Sequence, residues 1–140
     1  MTQPQLIVEL CHPHAKIPSK KRRSDFGYDL YVPEDVYIDP MSKVKIDLSF
    51  KTEFPDIWGV LIMDRSSVAD AGCHVVGQVI DSEYRDTWKV MLWNLSDKPI
   101  GFLTGDKIAQ FVLLPQISLQ PREGKVSDTT RGSGFGSSGR

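Results

Sequence analysis

A two-residue period of apolar side chains is the feature that most restricts how this sequence can fold. Between Lys43 and Lys51 every second residue is apolar and the intervening residues are polar or charged; the apolar positions are Val44, Ile46, Leu48 and Phe50. Successive side chains of a strand point to opposite faces, so the pattern predicts a half-buried β-strand. An α-helix would need a period near 3.6, which this segment lacks.

Further short apolar segments predict more strands of the same kind. They are Leu6 to Leu10, Tyr28 to Val32, Val36 to Ile38, Trp58 to Met63, His74 to Ile80, Lys89 to Leu95 and Ile108 to Leu114. Nine prolines and eleven glycines punctuate the chain, as is typical of turns between short strands. One segment, Ser66 to Ala71, favours a short helix that Ser66 or Ser67 caps. We therefore predict an all-β sandwich, jelly roll or barrel with one very short helix.

Composition excludes several classes of protein. At 140 residues the chain has the length of one domain, which can bury a core without disulfides or a structural metal. Cys11 and Cys73 form no CxxC pair, so we expect ordinary thiols rather than a disulfide or a zinc site. No apolar run approaches the roughly 20 residues of a membrane helix, and the N-terminus does not resemble a secretory signal. We expect a soluble, intracellular protein without a membrane segment.

The charge balance argues against binding to nucleic acids. A formal net charge of -1 provides no broad attraction for a phosphate backbone, so no direct nucleic-acid binding is expected. The exception is the basic cluster from Lys20 to Arg23. It is open to three interpretations: a solvated loop, which the sequence favours, a patch that contacts phosphate, or a nuclear-import signal.

Two segments contain side chains suited to binding phosphate. Arg65, Ser66 and Ser67 follow an apolar strand and precede the predicted helix, where hydroxyls, free N–H groups and a guanidinium make a compact anion site. The alternative is a helix cap beside a surface arginine. Gln110 is the one side-chain amide in a strongly apolar run. Its hydrogen-bond partners are a ligand phosphate, a neighbouring subunit, or solvent at an edge strand.

Asp81 and Tyr84 lie between the apolar strand that ends at Ile80 and the strand character that resumes at Trp88. This order predicts a β-hairpin with both side chains near its bend. An aspartate there can hold a water as a general base, and the tyrosine ring can pack on a sugar or a base. An ordinary hairpin with an exposed acid is the other interpretation.

The C-terminal tail has a composition of its own. The last ten residues, Arg131 to Arg140, contain four glycines, three serines and one large apolar residue, Phe135. Arginine pairs with phosphate, glycines let the backbone wrap an anion, and a single aromatic ring can stack on a base. The tail is therefore either a closing lid or a disordered extension. We divide the chain into a domain over residues 1–126 and a flexible arm over residues 127–140.

In their order along the chain these segments, together with Asp25 to Leu30, resemble the five motifs of the trimeric dUTPase family. The family's motifs read Ala-Gly-Tyr-Asp-Leu, Pro-Arg-Ser-Ser, Gly-Val-Ile-Asp-x-x-Tyr-Arg-Gly, Gly-x-x-Ile-Ala-Gln and Arg-Gly-x-Gly-Gly-Phe-Gly-Ser-Thr-Gly. The resemblance implies a jelly-roll or distorted β-barrel fold, and hydrolysis of dUTP to dUMP and pyrophosphate, which keeps uracil out of DNA and supplies dUMP for dTMP synthesis. It also implies Mg²⁺ as cofactor and a homotrimer that shares its active sites between subunits.

The resemblance also implies roles for individual residues. Asp81 orients the attacking water, and Asp29 binds waters of a Mg²⁺ ion on the triphosphate. Gln78, Val79 and Ile80 belong to the segment that reads uracil through its main chain, and Tyr84 blocks a ribose 2′-hydroxyl. The other substrate-binding residues contact the phosphates, support that loop or close the arm over the nucleotide; they are Arg65, Ser66, Ser67, Gln110, Arg131, Phe135, Gly136, Ser137 and Ser138.

Several positions depart from the family pattern. Phe26 replaces a small residue, Asp64 a proline, and Gln78 and Asp86 replace glycines, while the arm is one glycine short. Asp64 and Asp86 add negative charge near an anionic substrate. A second hypothesis is therefore a dUTPase-like regulatory protein that binds dUTP and a protein partner with weak turnover. Deamination of dCTP is a third, which Tyr84 and Phe135 disfavour.

Overall fold

The computed structural model describes residues 3–131, and the regular structure in this range is almost entirely β-strand. Eleven strands and one helix follow in chain order: β1 Ile7–Leu10, β2 Tyr28–Tyr31, β3 Val36–Ile38, β4 Ser42–Asp47, β5 Phe50–Glu53, β6 Trp58–Met63, α1 Ser66–Asp70, β7 Cys73–Val76, β8 Val79–Ile80, β9 Lys89–Asn94, β10 Ile100–Phe102 and β11 Lys107–Pro115. The prediction of an all-β fold with one very short helix is confirmed.

The strands form four antiparallel sheets. Their orders are β1-β5, β10-β3, β2-β11-β6-β8 and β4-β9-β7. In the largest sheet β11 lies between β2 and β6, so both of its edges are paired over part of its length. Several small antiparallel sheets of this kind make a jelly-roll-like architecture, in agreement with the predicted fold class.

Two segments predicted as continuous strands are each divided between sheets. The segment from Lys43 to Lys51 breaks at Ser49, whose φ is 59° and whose N–H donates to Asp47 Oδ1 at 2.8 Å. This turn moves the chain from the sheet of β4 to that of β5 without changing the inward face, since Leu48 and Phe50 are both buried. The predicted alternation of apolar and polar residues is confirmed, but the segment is divided between two strands rather than forming one.

The second division lies in the segment from His74 to Ile80. Gly77 has a φ of 70°, a backbone conformation that favours glycine, and it separates β7 from β8. The predicted hairpin between Ile80 and Trp88 is also wrong, because β8 pairs with β6 whereas β9 pairs with β4 and β7. The turn itself exists, closed by the Tyr84 N–H donating to the Asp81 carbonyl at 3.2 Å. Strand β10 was not predicted.

Aromatic rings link the core of these sheets. Trp88 is fully buried, with its ring centroid 5.0 Å from that of Phe50 and 5.1 Å from that of Phe111. Its indole N–H donates to Thr52 Oγ1 at 2.8 Å, so the buried N–H and the buried hydroxyl oxygen are hydrogen-bonded to each other. Because an indole needs such a partner when buried, this hydrogen bond lets a large ring occupy the centre of the core.

Within residues 3–131 no helix is long and apolar enough to cross a membrane. Cys11 is exposed, Cys73 is buried, and both are free thiols, as expected. Burial and, to a lesser degree, the negative charge of Asp64 raise the pKa of the Cys73 thiol. The buried thiol therefore stays protonated and unreactive at neutral pH.

Thr52→Val should lower the free energy of unfolding by about 1–3 kcal/mol, because it leaves the Trp88 N–H buried without an acceptor. Urea denaturation at a fixed protein concentration measures the change. In a Trp88→Phe background no N–H remains, so the same Thr52 substitution should have little effect. Equal losses in both backgrounds would show that the hydrogen bond does not stabilise the core.

Candidate active site

Strands β2, β6 and β11 border a cleft of about 640 Å³, which we call the cationic cleft because Lys21, Arg65 and Lys107 line it. Its remaining lining residues are Asp25, Phe26, Gly27, Asp29, Leu61, Met63, Asp64, Ser66, Gln110, Val112 and Leu114. The cleft thus contains Asp29, Arg65, Ser66 and Gln110, four of the residues that the sequence predicted for the site.

Strand register explains why these residues meet. Gln110 of β11 lies opposite Asp29 of β2 on one side and opposite Met63 of β6 on the other. Arg65 follows Met63 by two residues, at the point where β6 has ended and α1 begins. Three motifs that are far apart in the sequence are therefore side by side in one sheet.

Asp29 holds two of the cations that line the cleft. Its Oδ1 lies 3.2 Å from Arg65 Nε, and its Oδ2 lies 3.3 Å from Lys107 Nζ. The Asp29 side chain is 19% exposed, so these ion pairs are better shielded than pairs at an open surface. An anion that enters the cleft would meet both cations. Lys107 was not among the predicted site residues, although it lies within the fourth motif.

Gln110 is half-buried and is held by its neighbours in the cleft. Its Nε2 donates to the Asp64 carbonyl at 2.8 Å. A Cβ on Gly27 would collide with the end of the Gln110 side chain, which would then have to move from this position. The interpretation of Gln110 as an edge-strand residue is wrong, because β11 is paired on both sides at this position.

Asp64 and Asp86, the two aspartates that depart from the family pattern, both accept hydrogen bonds. Asp64 accepts hydrogen bonds from the Val75 N–H at 2.7 Å and from His74 Nδ1 at 2.8 Å. Asp86 lines no part of the cationic cleft, and a hydrogen bond from the Thr87 N–H, followed by the charge of Lys89, lowers its pKa. Asp64 lines the cationic cleft, so the expectation of added negative charge stands there, whereas it does not hold in this cleft for Asp86.

Helix α1 begins at Ser66, the first residue of the predicted helical segment, but its N-cap is the residue before it. Arg65 occupies the N-cap position without a side-chain hydrogen bond, and its carbonyl accepts the N–H groups of Val68 and Ala69 at 3.1 and 2.9 Å. The prediction that Ser66 or Ser67 caps this helix is thus wrong. Ser66 lines the cationic cleft, whereas Ser67 lines a neighbouring cleft that shares Arg65.

Asp81 and Tyr84 lie in a different place, a cleft of about 450 Å³ that we call the turn cleft. Its other lining residues are Asp56, Trp58, Gly59, Ser82, Glu83 and Gln116. The Asp81 side chain is exposed. Tyr84 Oη donates to the Thr87 carbonyl at 2.9 Å, which fixes the half-buried ring against the turn.

The segment before this turn is an edge of the largest sheet. Strand β8 is the last in the order β2-β11-β6-β8, so one side of its main chain faces away from β6. Val79 is 68% exposed, while Ile80 is buried in the core. Gln78 Nε2 donates to the Val75 carbonyl at 3.1 Å, which braces the bend at Gly77. The unpaired edge of β8 can form main-chain hydrogen bonds with a ligand.

Asp81 and Arg65 lie at opposite ends of β6. Ile80 pairs with Val60 near the start of β6, and Asp81 and Gly59 both line the turn cleft. Arg65 follows the other end of the strand. At about 3.3 Å per residue, the backbone from Gly59 to Arg65 spans roughly 20 Å. A single chain therefore does not bring Asp81 and Arg65 into one cleft.

The predicted arm is only partly within the described range. Arg131 is exposed and is the last described residue, in a segment without helix or strand after Pro115. Phe135, Gly136, Ser137 and Ser138 lie outside the described residues. Their roles remain predictions.

Comparison with known proteins identifies relatives along the whole chain. A family model described as dUTPase matches residues 13–139. The chain is 34% identical over 141 residues to a deoxyuridine 5′-triphosphate nucleotidohydrolase of Hydrogenobaculum sp., covering 96% of this chain and 98% of that protein. It is also 35% identical over 121 residues to the Pol polyprotein of an ovine maedi visna related virus, but spans only 11% of that protein's length.

Solved structures agree with this relationship. The dUTPase of Staphylococcus bacteriophage 80alpha with dUPNHPP superimposes with a TM-score of 0.85 at 25% identity, over 96% of this chain and 98% of that one. A dUTPase of phage phi11 of S. aureus, whose structure describes a structural Mg(II) ion, gives a TM-score of 0.82 at 20% identity over 89% and 99% of the two chains. With its family model, sequence relatives and fold in agreement, the chain belongs to the dUTPase family.

Proposed function

We propose that this protein hydrolyses dUTP to dUMP and pyrophosphate, which keeps uracil out of DNA and supplies dUMP for dTMP synthesis. The observation that carries the proposal is the register of β2, β11 and β6, which places Asp29, Arg65 and Gln110 in one cleft of a dUTPase-family fold. Water attacks the α-phosphate, so no covalent nucleophile is required.

The triphosphate binds in the cationic cleft. Arg65 pairs with phosphate oxygens, and Ser66 and Gln110 donate hydrogen bonds to them. Ser67, which lines the neighbouring cleft, supports the loop. Lys107 provides a second cation in the same cleft, where it forms an ion pair with Asp29. Cations placed where negative charge develops are the main contribution that a protein makes to this class of reaction.

Asp29 is suited to a Mg²⁺ ion that arrives with the nucleotide. Within residues 3–131 no group of three or more His, Cys, Asp or Glu side chains could hold a metal ion alone. Mg²⁺ usually keeps several waters and is held by one or two carboxylates plus substrate phosphates, which fits a single cleft carboxylate. When bound, Mg²⁺ offsets charge on the triphosphate oxygens. Asp29 would hold its waters, and Arg65 and Lys107 would then turn from Asp29 toward phosphate.

The turn cleft supplies the base and the recognition of the nucleoside. Asp81 orients the attacking water and accepts its proton, for which an exposed carboxylate beside the cleft is suitable. The main chain of Gln78, Val79 and Ile80 reads uracil along the open edge of β8. The Tyr84 ring, fixed through its hydroxyl, blocks a ribose 2′-hydroxyl and so selects the deoxynucleotide.

A complete site would need more than one copy of the chain. Asp81 and Arg65 are separated by about the length of β6, so Asp81 of one copy would act on phosphates held by Arg65 of another. Ile117, Leu119 and Val126 are 83%, 84% and 88% exposed, an unusual exposure for aliphatic side chains that a neighbouring copy could cover. Both observations support a homotrimer with shared active sites.

The glycine-rich arm closes the site in this proposal. Phe135 stacks on uracil, Gly136 gives the backbone room to approach the ligand, and Arg131, Ser137 and Ser138 close over the terminal phosphates. The division into a domain over residues 1–126 and an arm over residues 127–140 belongs to the same proposal. An intracellular location is supported by the two free thiols.

The alternative is a dUTPase-like regulatory protein that binds dUTP and a partner with weak turnover. Asp64 supports this alternative, because it lines the cationic cleft, whereas Asp86 does not line that cleft. Tight binding of dUTP and Mg²⁺ without release of pyrophosphate would favour this alternative. Release of ammonia from dCTP would instead indicate the deaminase.

Asp81→Asn should reduce kcat for dUTP by about 10²- to 10⁴-fold, because the amide cannot accept the proton of the attacking water. Affinity for dUTP should stay within about tenfold, or 1.4 kcal/mol, since the turn is retained. Pyrophosphate release and equilibrium binding measure the two quantities. Glu83→Gln is the matched control, a neighbouring acid in the same cleft, and should keep its activity. Unchanged turnover in Asp81→Asn would show that Asp81 is not the base.

Deletion of residues 131–140 should leave the assembly folded but reduce the rate of dUTP hydrolysis by at least about 10²-fold, because the arm no longer closes over the nucleotide. The size in solution and the rate are measured on the same sample. Full-length Phe135→Trp keeps an aromatic ring for stacking and should retain most of the activity. A truncated protein with the full rate would show that the arm is a passive extension.

A further inference from the structure

Asp64 stands directly before Arg65, where the family's second motif has proline. Proline fixes its own φ and restricts the residue before it, so it stiffens the chain that leads into the arginine. Aspartate imposes no such restriction. Helix α1 does little to stiffen this part of the chain in place of proline, because it has five residues and its N-cap makes no side-chain hydrogen bond. The ion pair with Asp29 holds the Arg65 side chain, so it is the backbone leading into Arg65 that lacks the stiffness of a proline.

Three hydrogen bonds converge on Asp64. Its carboxylate accepts from the Val75 N–H at 2.7 Å and from His74 Nδ1 at 2.8 Å, and its carbonyl accepts from Gln110 Nε2 at 2.8 Å. The first two join the end of β6 to β7, a strand of another sheet, and the third joins it to β11. The Asp64 side chain is 28% exposed and the His74 side chain 54% exposed, so water competes more for the His74 bond than for the Val75 bond.

We propose that His74 is a positioning residue for the triphosphate site, acting through Asp64 as a non-covalent replacement for the missing proline. His74 lines neither the cationic cleft nor the turn cleft. Its influence on the substrate therefore passes through Asp64 to Arg65, the next residue, and to Gln110, which shares the Asp64 carbonyl. The proposal rests on the proposed function, because it requires that Arg65 and Gln110 bind the triphosphate.

The test compares two substitutions of His74 in the full-length chain. His74→Leu removes the donor and should raise the KM for dUTP about tenfold, with kcat within about threefold. The Kd of a non-hydrolysable α,β-imido dUTP analogue should rise by the same factor. His74→Asn keeps an N–H donor close to the position of Nδ1 and should restore both values to near those of the unaltered protein.

Repeating the His74→Leu substitution in two Asp64 variants shows whether its effect on KM depends on Asp64. In Asp64→Ala, His74→Leu should have no further effect on KM, because its acceptor is gone. In Asp64→Pro, which restores the family residue, KM should be near normal and His74 should be dispensable. If the proline variant does not fold, the alanine background decides alone. His12→Leu is the matched control, since it breaks another histidine–carboxylate pair, with Glu34 at 3.1 Å, and should leave KM unchanged.

The outcomes separate this proposal from the proposed function. Loss of thermal stability in His74→Leu without a change in KM or Kd would overturn the positioning role, and so would equal effects in the presence and absence of the Asp64 carboxylate. If the unaltered chain binds the analogue but releases no pyrophosphate, the proposed function fails while the Kd values still decide the role of His74. If it does not bind the analogue, both proposals fail.

Discussion

The pairing of β11 with β2 on one edge and β6 on the other determines which of the candidate site residues lie together. Gln110 has Asp29 and Met63 as its direct neighbours, and Arg65 follows Met63 into the same cleft. Because a shift of one residue in register would turn these side chains to the opposite face, the apolar residues that bury β11 also align the site. The packing of Trp88 against Phe111 connects this sheet to the rest of the core.

The same pairing separates the predicted base from the predicted phosphate groups. Asp81 follows the edge strand β8 at the start of β6, and Arg65 follows the other end of β6. A rigid strand lies between them, so rearranging a side chain cannot close the distance. We therefore propose that separate copies contribute the two halves of one site, a proposal that the exposed aliphatic side chains after Pro115 also support.

Much of this arrangement could be predicted from the sequence, because alternation and short motifs are local signals. Which strands share a sheet was harder to predict from the sequence. Ser49 and Gly77 break apparently continuous strands through positive φ values rather than through a proline. The role of His74 could not be predicted, because it depends on a contact with Asp64 ten residues away, across two sheets. Lys107 was missed although it lies inside a motif, because its ion pair with Asp29 depends on the pairing of β2 with β11.

Activity in mixed assemblies tests most directly whether two copies share one site. Asp81→Asn and Arg65→Ala chains, each inactive alone, are to be co-expressed with different tags and purified as mixed oligomers. If each site takes Asp81 and Arg65 from different copies of a trimer, every trimer that contains both variants has both residues intact in one of its three sites, or roughly a third. We predict dUTP hydrolysis near that fraction of the normal rate. Mixed oligomers as inactive as either parent would contradict the account.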